Sequence, residues 1–421
     1  MRYVAIVALL GLLVVRAESS PLSGSPSRNA VELLTAFSGE SAQQYEPFFR
    51  FTEEARIVDV EIHAVGTAST IARYSGRSRP SKSLNNILRL TTADGFEGIS
   101  GVATYGREFN REHLLELQGV SADLLALQSL DPVEVGTTLE RSRPDLSDAA
   151  RSSIDIALWD LAARRASLPL YELLGAKRES IEPYASLPFY NSLPEYVDAV
   201  NEYAKLGYTA FKFHVWGLIE EDSQLVKLVQ QTFPDSSYSF MIDLEGAYGF
   251  NDALRIGREM DEGLFIWLEA PINDELLEEY AELRSKLAVS LIPAGYRVYS
   301  PEFIRQGIEA GSWDAARVDA TAIGGISKVL EILTITNDAG LPIEIQSWGH
   351  TLAQAANLHL MLANERTQYF EAPMPKEAHE FGMKNGNLLD RGRVVAPPGP
   401  GLGIEVDWDR LATADFHAHS K

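Results

Sequence analysis

The sequence contains no cysteine. Disulfides, thiolate nucleophiles and Cys-ligated zinc or iron–sulfur centres are therefore excluded, and any metal must be held by oxygen or nitrogen. Positive charge is also scarce, with 37 Lys and Arg against 59 Asp and Glu and a formal net charge of −22. Such a surface repels a phosphate backbone, which argues against nucleic acid as a partner. A small anionic ligand is not excluded, because a local pocket of cations outweighs the global field at short range. Long apolar runs are missing beyond the first residues, so no later segment reads as a membrane span. Residues 1–17 have the layout of a secretory signal peptide: Arg2, an apolar run over 3–15, and small residues at Val15 and Ala17. This layout predicts a secreted or periplasmic protein with no stable membrane span once the signal is removed. An uncleaved anchor or a misassigned start is the alternative.

What the chain does contain is apolar material: 45% hydrophobic and 23% charged residues over 421 positions. That suits one β/α barrel of roughly 250 residues plus a smaller domain. Residues 18–55 are rich in Ser, Pro, Gln and Glu and read as an extension or linker with a small helix near 31–37. Segments 57–66, 84–92 and 98–105 alternate as antiparallel strands, with a turn at Asp94-Gly95. Segments 111–127 and 148–174 carry helical periodicity, with Gly175 placed as a stop. An α+β domain over 56–145 is the expectation. Beyond it, short apolar runs at 182–187, 210–216, 240–244, 265–270, 289–294, 315–320, 343–347 and 368–372 alternate with amphipathic helices. Eight such units predict a closed parallel barrel within 146–385.

A β/α barrel builds its active site at the C-terminal ends of its strands, and the ionisable residues fall there. Run two carries Lys212 and His214, run three Asp243 and Glu245, run four Glu269 and run six Asp319. His350 follows run seven, and Glu371 ends run eight. Lys212 and His214 are two apart and share a side, either the barrel mouth or the outer helix layer. The cost of burying Lys against helices favours the mouth. The same alternation places Asp243 and Glu245 together. With Glu269 on the next strand they form a carboxylate cluster that calls for a cation, and oxygen ligands favour Mg2+ or Mn2+.

The segment 150–161 (Ala-Arg-Ser-Ser-Ile-Asp-Ile-Ala-Leu-Trp-Asp-Leu), continuing to Pro169-Leu170 and Leu173-Leu174-Gly175, resembles the signature of the mandelate racemase and muconate lactonising branch of the enolase superfamily. Further matches are 207–212, the run ending at Asp243, Trp267-Leu268-Glu269, Asp319 with Ile323-Gly324-Gly325-Ile326, and 400–403. The resemblance spans roughly residues 56–410 and implies a TIM-like barrel capped by an α+β domain that segment 386–421 completes. It further implies that a metal binds the substrate carboxylate and stabilises the enediolate formed when a base takes the α-proton. Asp243 and Glu269 resemble the first two metal ligands, and Lys212 the first residue of a Lys-x-Lys pair. His350 and Asp319 resemble a base dyad, and Glu371 an eighth-strand glutamate that contacts the substrate carboxylate or forms a structural salt bridge. Relatives of this kind often form homo-oligomers.

Two positions depart from that pattern. Gly295 is followed by Tyr296 where the family places its third ligand, a glutamate, so Glu245 is the expected substitute and Tyr296 is left as a substrate contact. His214 stands in place of the second lysine, as an acid–base group or a hydrogen-bonding one. Among the cations of segment 73–82, Arg77, Arg79 and Lys82 are expected to meet an anionic or polyhydroxylated substrate, or else to be solvated. The expected function is dehydration of a sugar acid. A hydroxy-acid racemase or epimerase, or a secreted binding protein whose catalysis has decayed, are the other readings.

Overall fold

The computed structural model describes residues 29–67, 71–74, 77–80, 83–103, 107–234, 237–260, 264–296, 299–386, 388–390, 392–411 and 416–420. The signal-like segment and Lys82 lie outside them.

The cap begins with β1 (Ile57–Thr67), followed by a hairpin of β2 (Ile71–Tyr74) and β3 (Arg77–Pro80), then β4 (Ser83–Thr92) and β5 (Glu97–Ala103). Strands β1, β4 and β5 pair antiparallel, and the C-terminal strand Phe416–Ser420 adds to the free edge of β1, so the chain end does return to the cap. Alternation in β1 buries Val60, Ile62 and Ala64 together with Leu88 and Leu90 of β4. The helices Arg107–Leu125 and Pro132–Ser142 contribute Leu117, Val120, Val135 and Leu139 to this core. The second of these helices was not expected from periodicity. Its start is nevertheless encoded, since Asp131 accepts from the amides of Val133 and Glu134 and Pro132 occupies the first turn.

All eight apolar runs form strands of the barrel: β6 (Ser180–Leu187), β7 (Ala210–His214), β8 (Ser239–Asp243), β9 (Phe265–Glu269), β10 (Ser290–Ile292), β11 (Ala316–Val318), β12 (Ile343–Ile345) and β13 (Tyr369–Pro373). Six pair in parallel in the order β10-β9-β8-β7-β6-β13, and β11 pairs with β12. The two breaks are bridged by side chains. Asp314 accepts from the Leu291 amide beside β10, and Glu344 accepts from the amides of Gln368 and Tyr369 at the start of β13. Tyr184, Met241, Trp267, Ile292 and Tyr369 fill the interior as an apolar floor, with Tyr184 and Trp267 edge to face at 5.6 Å.

The helix Asp148–Ala166, which carries the signature segment, is buried on nearly every side because it serves two cores. Ile154, Ala157, Leu158 and Leu161 face the cap, whereas Ile156, Trp159, Ala162 and Ala163 face the barrel. Two of its three acidic residues act as clasps. Asp160 is fully buried and accepts from the Ile99 amide of β5 at 2.8 Å, the Leu402 amide at 2.6 Å and Arg164 Nε at 2.7 Å. Asp155 accepts from the Ser327 amide and hydroxyl in the first turn of the helix Ile326–Asp338 that follows β11. One helix thus ties cap, barrel and C-terminal segment together.

The small helix expected near 31–37 is present as Ala30–Ser38, but the described part of 18–55 is docked on the barrel rather than a free linker. Ala30–Ser38 and Ala42–Phe49 are helices that join the barrel core through Leu33, Leu34 and Phe49, the last packing edge to face on Trp159 at 5.3 Å. The Ala30 amide donates to the Asp131 carboxylate at 2.8 Å. Composition suggested a linker because the few apolar residues are diluted among polar ones, yet those few are enough to dock a helical hairpin.

Replacing Asp160 with Ala should remove three hydrogen bonds and leave buried amides unsatisfied, at a cost of roughly 3–5 kcal/mol. Urea unfolding followed by circular dichroism checks this, and a change under about 1 kcal/mol contradicts the clasp.

Candidate active site

The ionisable residues predicted at the strand ends converge inside the barrel, in two tiers. The inner tier is an ion-pair lattice. Lys212 Nζ lies 2.9 Å from Glu269 Oε2, 2.8 Å from Glu371 Oε1 and 3.6 Å from Asp243 Oδ2. Arg317, in the middle of β11, meets the same two glutamates from the other side: its Nε is 3.0 Å from Glu269 Oε1 and its guanidinium 2.9 Å from Glu371 Oε2. The Tyr184 hydroxyl accepts from Arg317 at 3.1 Å, and Ser186 donates to Glu371 at 2.8 Å. All four charged side chains are 0–1% exposed.

Burial alone would lower the Lys212 ammonium, but Glu269 and Glu371 override it and hold it well above the ordinary lysine range. Glu371 responds to the same cations: despite burial, Lys212 and Arg317 bring it down to about 2. It is therefore an anion in a salt-bridge lattice, not the protonated hydrogen-bond donor to substrate that one reading of the sequence allowed. Burial pushes Glu269 up to about 7, with Arg317 pulling against it and neighbouring Asp243 adding to the rise. Lys212 is tied to three carboxylates and has no lone pair to offer as a base.

The outer tier is His214, Asp243 and Glu245, each offering one ligand atom within 4.8 Å of the others. Strand alternation was expected to bring Glu245 beside Asp243, but β8 ends at Asp243 and a turn brings it there instead. Glu245 sits at φ 54°, in the left-handed region, and its amide donates to Asp243 Oδ1 at 2.8 Å. A non-glycine residue in that region stores strain. His214 Nδ1 donates to the Leu187 carbonyl at 2.6 Å, and the ring is wedged between Phe189 and Trp348, at centroid distances of 5.6 and 5.1 Å. Burial and the nearby Lys212 lower its pKa to about 4.

The expected dyad does not form. Asp319 Oδ1 accepts from the Thr321 amide and hydroxyl and from Asn357 Nδ2, each at 2.8 Å, whereas His350 Nε2 donates to the Phe381 carbonyl at 2.8 Å. No ion pair joins His350 to Asp319 within 4 Å among the described residues. His350 is fully buried, its Nδ1 has no hydrogen-bond partner, and burial lowers its pKa to about 4, so the imidazole is neutral. Tyr296 is half-buried in the loop after β10. Gly295 before it has φ 85°, and a Cβ there would lie 2.8 Å from Arg317, so the backbone at this point is pressed against the lattice. The backbones of Arg77 and Arg79 belong to the β2–β3 hairpin rather than to a loop, while their side chains and Lys82 lie outside the described residues.

Sequence reasoning missed Arg317, although a lone cation inside the apolar run 315–320 must find partners if that run is a strand. It also missed Thr321, whose place two residues after Asp319 marks a local side-chain turn, and Trp348. The magnesium set suggested by the resemblance does not fit these residues. Both oxygens of Glu269 face a built-in cation, and the third position is a phenol. The expected set of Asp243, Glu269 and Glu245 is therefore not built as one site: Glu269 is taken by Lys212 and Arg317, and Glu245 lies with Asp243 and His214.

The family model for the mandelate racemase / muconate lactonizing enzyme N-terminal domain matches residues 57–175, and that for the enolase C-terminal domain-like region matches 195–410. Arabinonate dehydratase of Saccharolobus solfataricus is 26% identical over 328 residues, 75% of this chain and 87% of that one. L-talarate/galactarate dehydratase of Salmonella typhimurium is 27% identical over 326 residues, 75% and 80% of the two chains. Its structure with magnesium and L-lyxarohydroxamate superposes with a TM-score of 0.79 over 88% of this chain and 96% of that one, at 23% identity. A mandelate racemase/muconate lactonizing enzyme structure from Pseudovibrio sp. superposes with a TM-score of 0.83 at 33% identity, over 87% and 99% of the chains.

Replacing Arg317 with Leu strips one cation from two buried glutamates and should cost roughly 3–5 kcal/mol. Chemical denaturation measures this, and an unchanged midpoint would show that the guanidinium is not needed to hold the interior together.

Proposed function

Because this chain belongs to the mandelate racemase/muconate lactonizing enzyme family, we propose that it takes the α-proton from a carboxylate substrate and is a dehydratase of a sugar acid. The observation that carries this reading is His350: a neutral imidazole after β12, fixed by the Phe381 carbonyl, with an unpartnered Nδ1. A neutral imidazole with a free lone pair is what a general base requires. The relatives that are arabinonate and talarate/galactarate dehydratases support the sugar-acid class.

In this reading His350 Nδ1 accepts the proton from the α-carbon, the electron pair moves toward the carboxylate, and the β-hydroxyl departs. The imidazolium returns its proton to that hydroxyl as water leaves, so one group serves as base and then acid on one face of the substrate. Racemisation needs a second proton-moving group on the opposite face. His214, the expected candidate, turns its Nε2 to Asp243 and Glu245 at 3.5 and 3.9 Å, which favours elimination over racemisation. The aromatic rim of Phe189 and Trp348 offers apolar faces against which a polyol chain can lie.

The lattice favours one other reading. Its two cations and two glutamates satisfy one another without substrate, as befits a barrel that binds sugar acids without converting them.

The test is incubation of the full chain with a panel of aldonic and aldaric acids in deuterated water. Formation of a 2-keto-3-deoxy acid is expected, and His350→Asn should reduce it by at least about 100-fold. Because His350 stays neutral down to about pH 4, the acidic limb of kcat/KM should fall near pH 4, below the 6.5 of a free imidazole. Turnover unaffected by His350→Asn sinks the assignment of the base. Binding by calorimetry with neither water loss nor deuterium uptake supports the non-catalytic barrel.

A further inference from the structure

We propose that His214, Asp243 and Glu245 form a divalent transition-metal centre at the barrel mouth, displaced outward from the Asp243–Glu269 position that the family resemblance predicts.

The first argument is geometric. The three residues present one ligand atom each within 4.8 Å of one another, and His214 Nε2 is 3.5 Å from Asp243 Oδ2 and 3.9 Å from Glu245 Oε1. Around an ion with bonds of about 2.0–2.2 Å, neighbouring ligand atoms stand roughly 3.0–3.5 Å apart. The two distances from His214 Nε2 are within a few tenths of an ångström of that spacing, and the two carboxylates, within 4.8 Å of each other, have to close by at most about 1.3–1.8 Å.

The second argument is the histidine tautomer. The Leu187 carbonyl can only accept, so His214 Nδ1 carries the hydrogen and, in the neutral ring, Nε2 presents its lone pair to the two carboxylates. Metal-bound histidines are held in this way, the other ring N–H donating to a carbonyl or carboxylate. Phe189 and Trp348 on either side, with an exposure of only 7%, leave the ring little freedom to turn away. Asp243 is arranged likewise: the Glu245 amide takes Oδ1, and Oδ2 lies 3.5 Å from Nε2 on the mouth side and 3.6 Å from Lys212 Nζ on the inner side.

The third argument is that the inner position is filled. Lys212 and Arg317 sit 2.9 and 3.0 Å from the two oxygens of Glu269, where an ion would otherwise bind. An ion drawn to Asp243 therefore finds its other ligands on the mouth side.

One imidazole nitrogen and two carboxylate oxygens select Mn2+, Fe2+, Co2+ or Zn2+ over Mg2+ and Ca2+. Three protein ligands leave open positions for water or an anionic ligand entering from the mouth.

The experiment uses the full chain, stripped with a chelator and titrated with Co2+, whose visible d–d bands report nitrogen ligation, and with Zn2+ and Mg2+ by calorimetry. One equivalent of Co2+ with intense visible bands is expected, with Zn2+ bound at least about tenfold more tightly than Mg2+. His214→Gln and Glu245→Gln should each weaken Zn2+ by on the order of 100-fold and alter the Co2+ bands, while the far-ultraviolet circular dichroism of both variants stays that of the parent. Failure of the parent chain to take up Co2+ or Zn2+ overturns the proposal. So does metal binding that is indifferent to both substitutions but lost in Glu269→Gln. Metal binding is read here without turnover, so this proposal and the assignment of His350 as base stand or fall separately.

Discussion

The barrel interior depends on one arrangement: two cations, Lys212 and Arg317, sharing two glutamates, Glu269 and Glu371, with almost no contact with water. Removing an ion from water costs several kcal/mol, and that cost is offset only where geometry is close and the remaining polar atoms find partners. Here each glutamate meets both cations within 3.0 Å, and Tyr184 and Ser186 take up further polar contacts. The residues come from β6, β7, β9, β11 and β13, so the lattice ties together five of the eight strands. That matters most at β11, which pairs regularly only with β12. Arg317 anchors this two-stranded piece to the other six from the inside, as Asp314 and Glu344 do along the backbone. Because a broken member would leave a buried charge unpaired, the interior is fixed in shape, and the side chains of the mouth stand on a rigid base.

The strands were legible because their apolar runs end in ionisable residues, a pattern that a barrel interpretation explains and a helix does not. The signature helix was legible as a helix, but its burial on every side is explained only by the two cores it separates. What periodicity could not reveal was partner choice. Lys212, Glu269 and Glu371 were each placed at the mouth, yet whether a carboxylate meets a metal, a substrate or a neighbouring cation depends on which strands face one another across the interior. His350 and Asp319 illustrate the same limit. Both lie at strand ends as expected, but Thr321 and Asn357 donate to Asp319 Oδ1 and the Phe381 carbonyl takes His350 Nε2, leaving Asp319 Oδ2 and His350 Nδ1 each without a hydrogen-bond partner. The segment near Phe381, read as the end of the barrel domain over 146–385, carries no signal in its sequence that it would cover the histidine.

Arg317 and Tyr296 bear on one charge balance. A site with Lys212, a divalent ion and four carboxylates, the fourth in place of Tyr296, carries one net negative charge. With Arg317 for the ion and Tyr296 for that carboxylate, two cations face Asp243, Glu269 and Glu371, and the net charge is again one negative. Either substitution alone would shift a water-poor interior by at least one unit, where Coulomb energies are several-fold larger than in water. The two positions are linked through Gly295, which precedes Tyr296 and leaves no room for a Cβ against the Arg317 backbone and side chain. An interior balanced by a fixed guanidinium has its charges paired before any ligand arrives. An ion held at the mouth by His214, Asp243 and Glu245, as proposed above, would therefore meet a charge distribution that binding does not have to assemble.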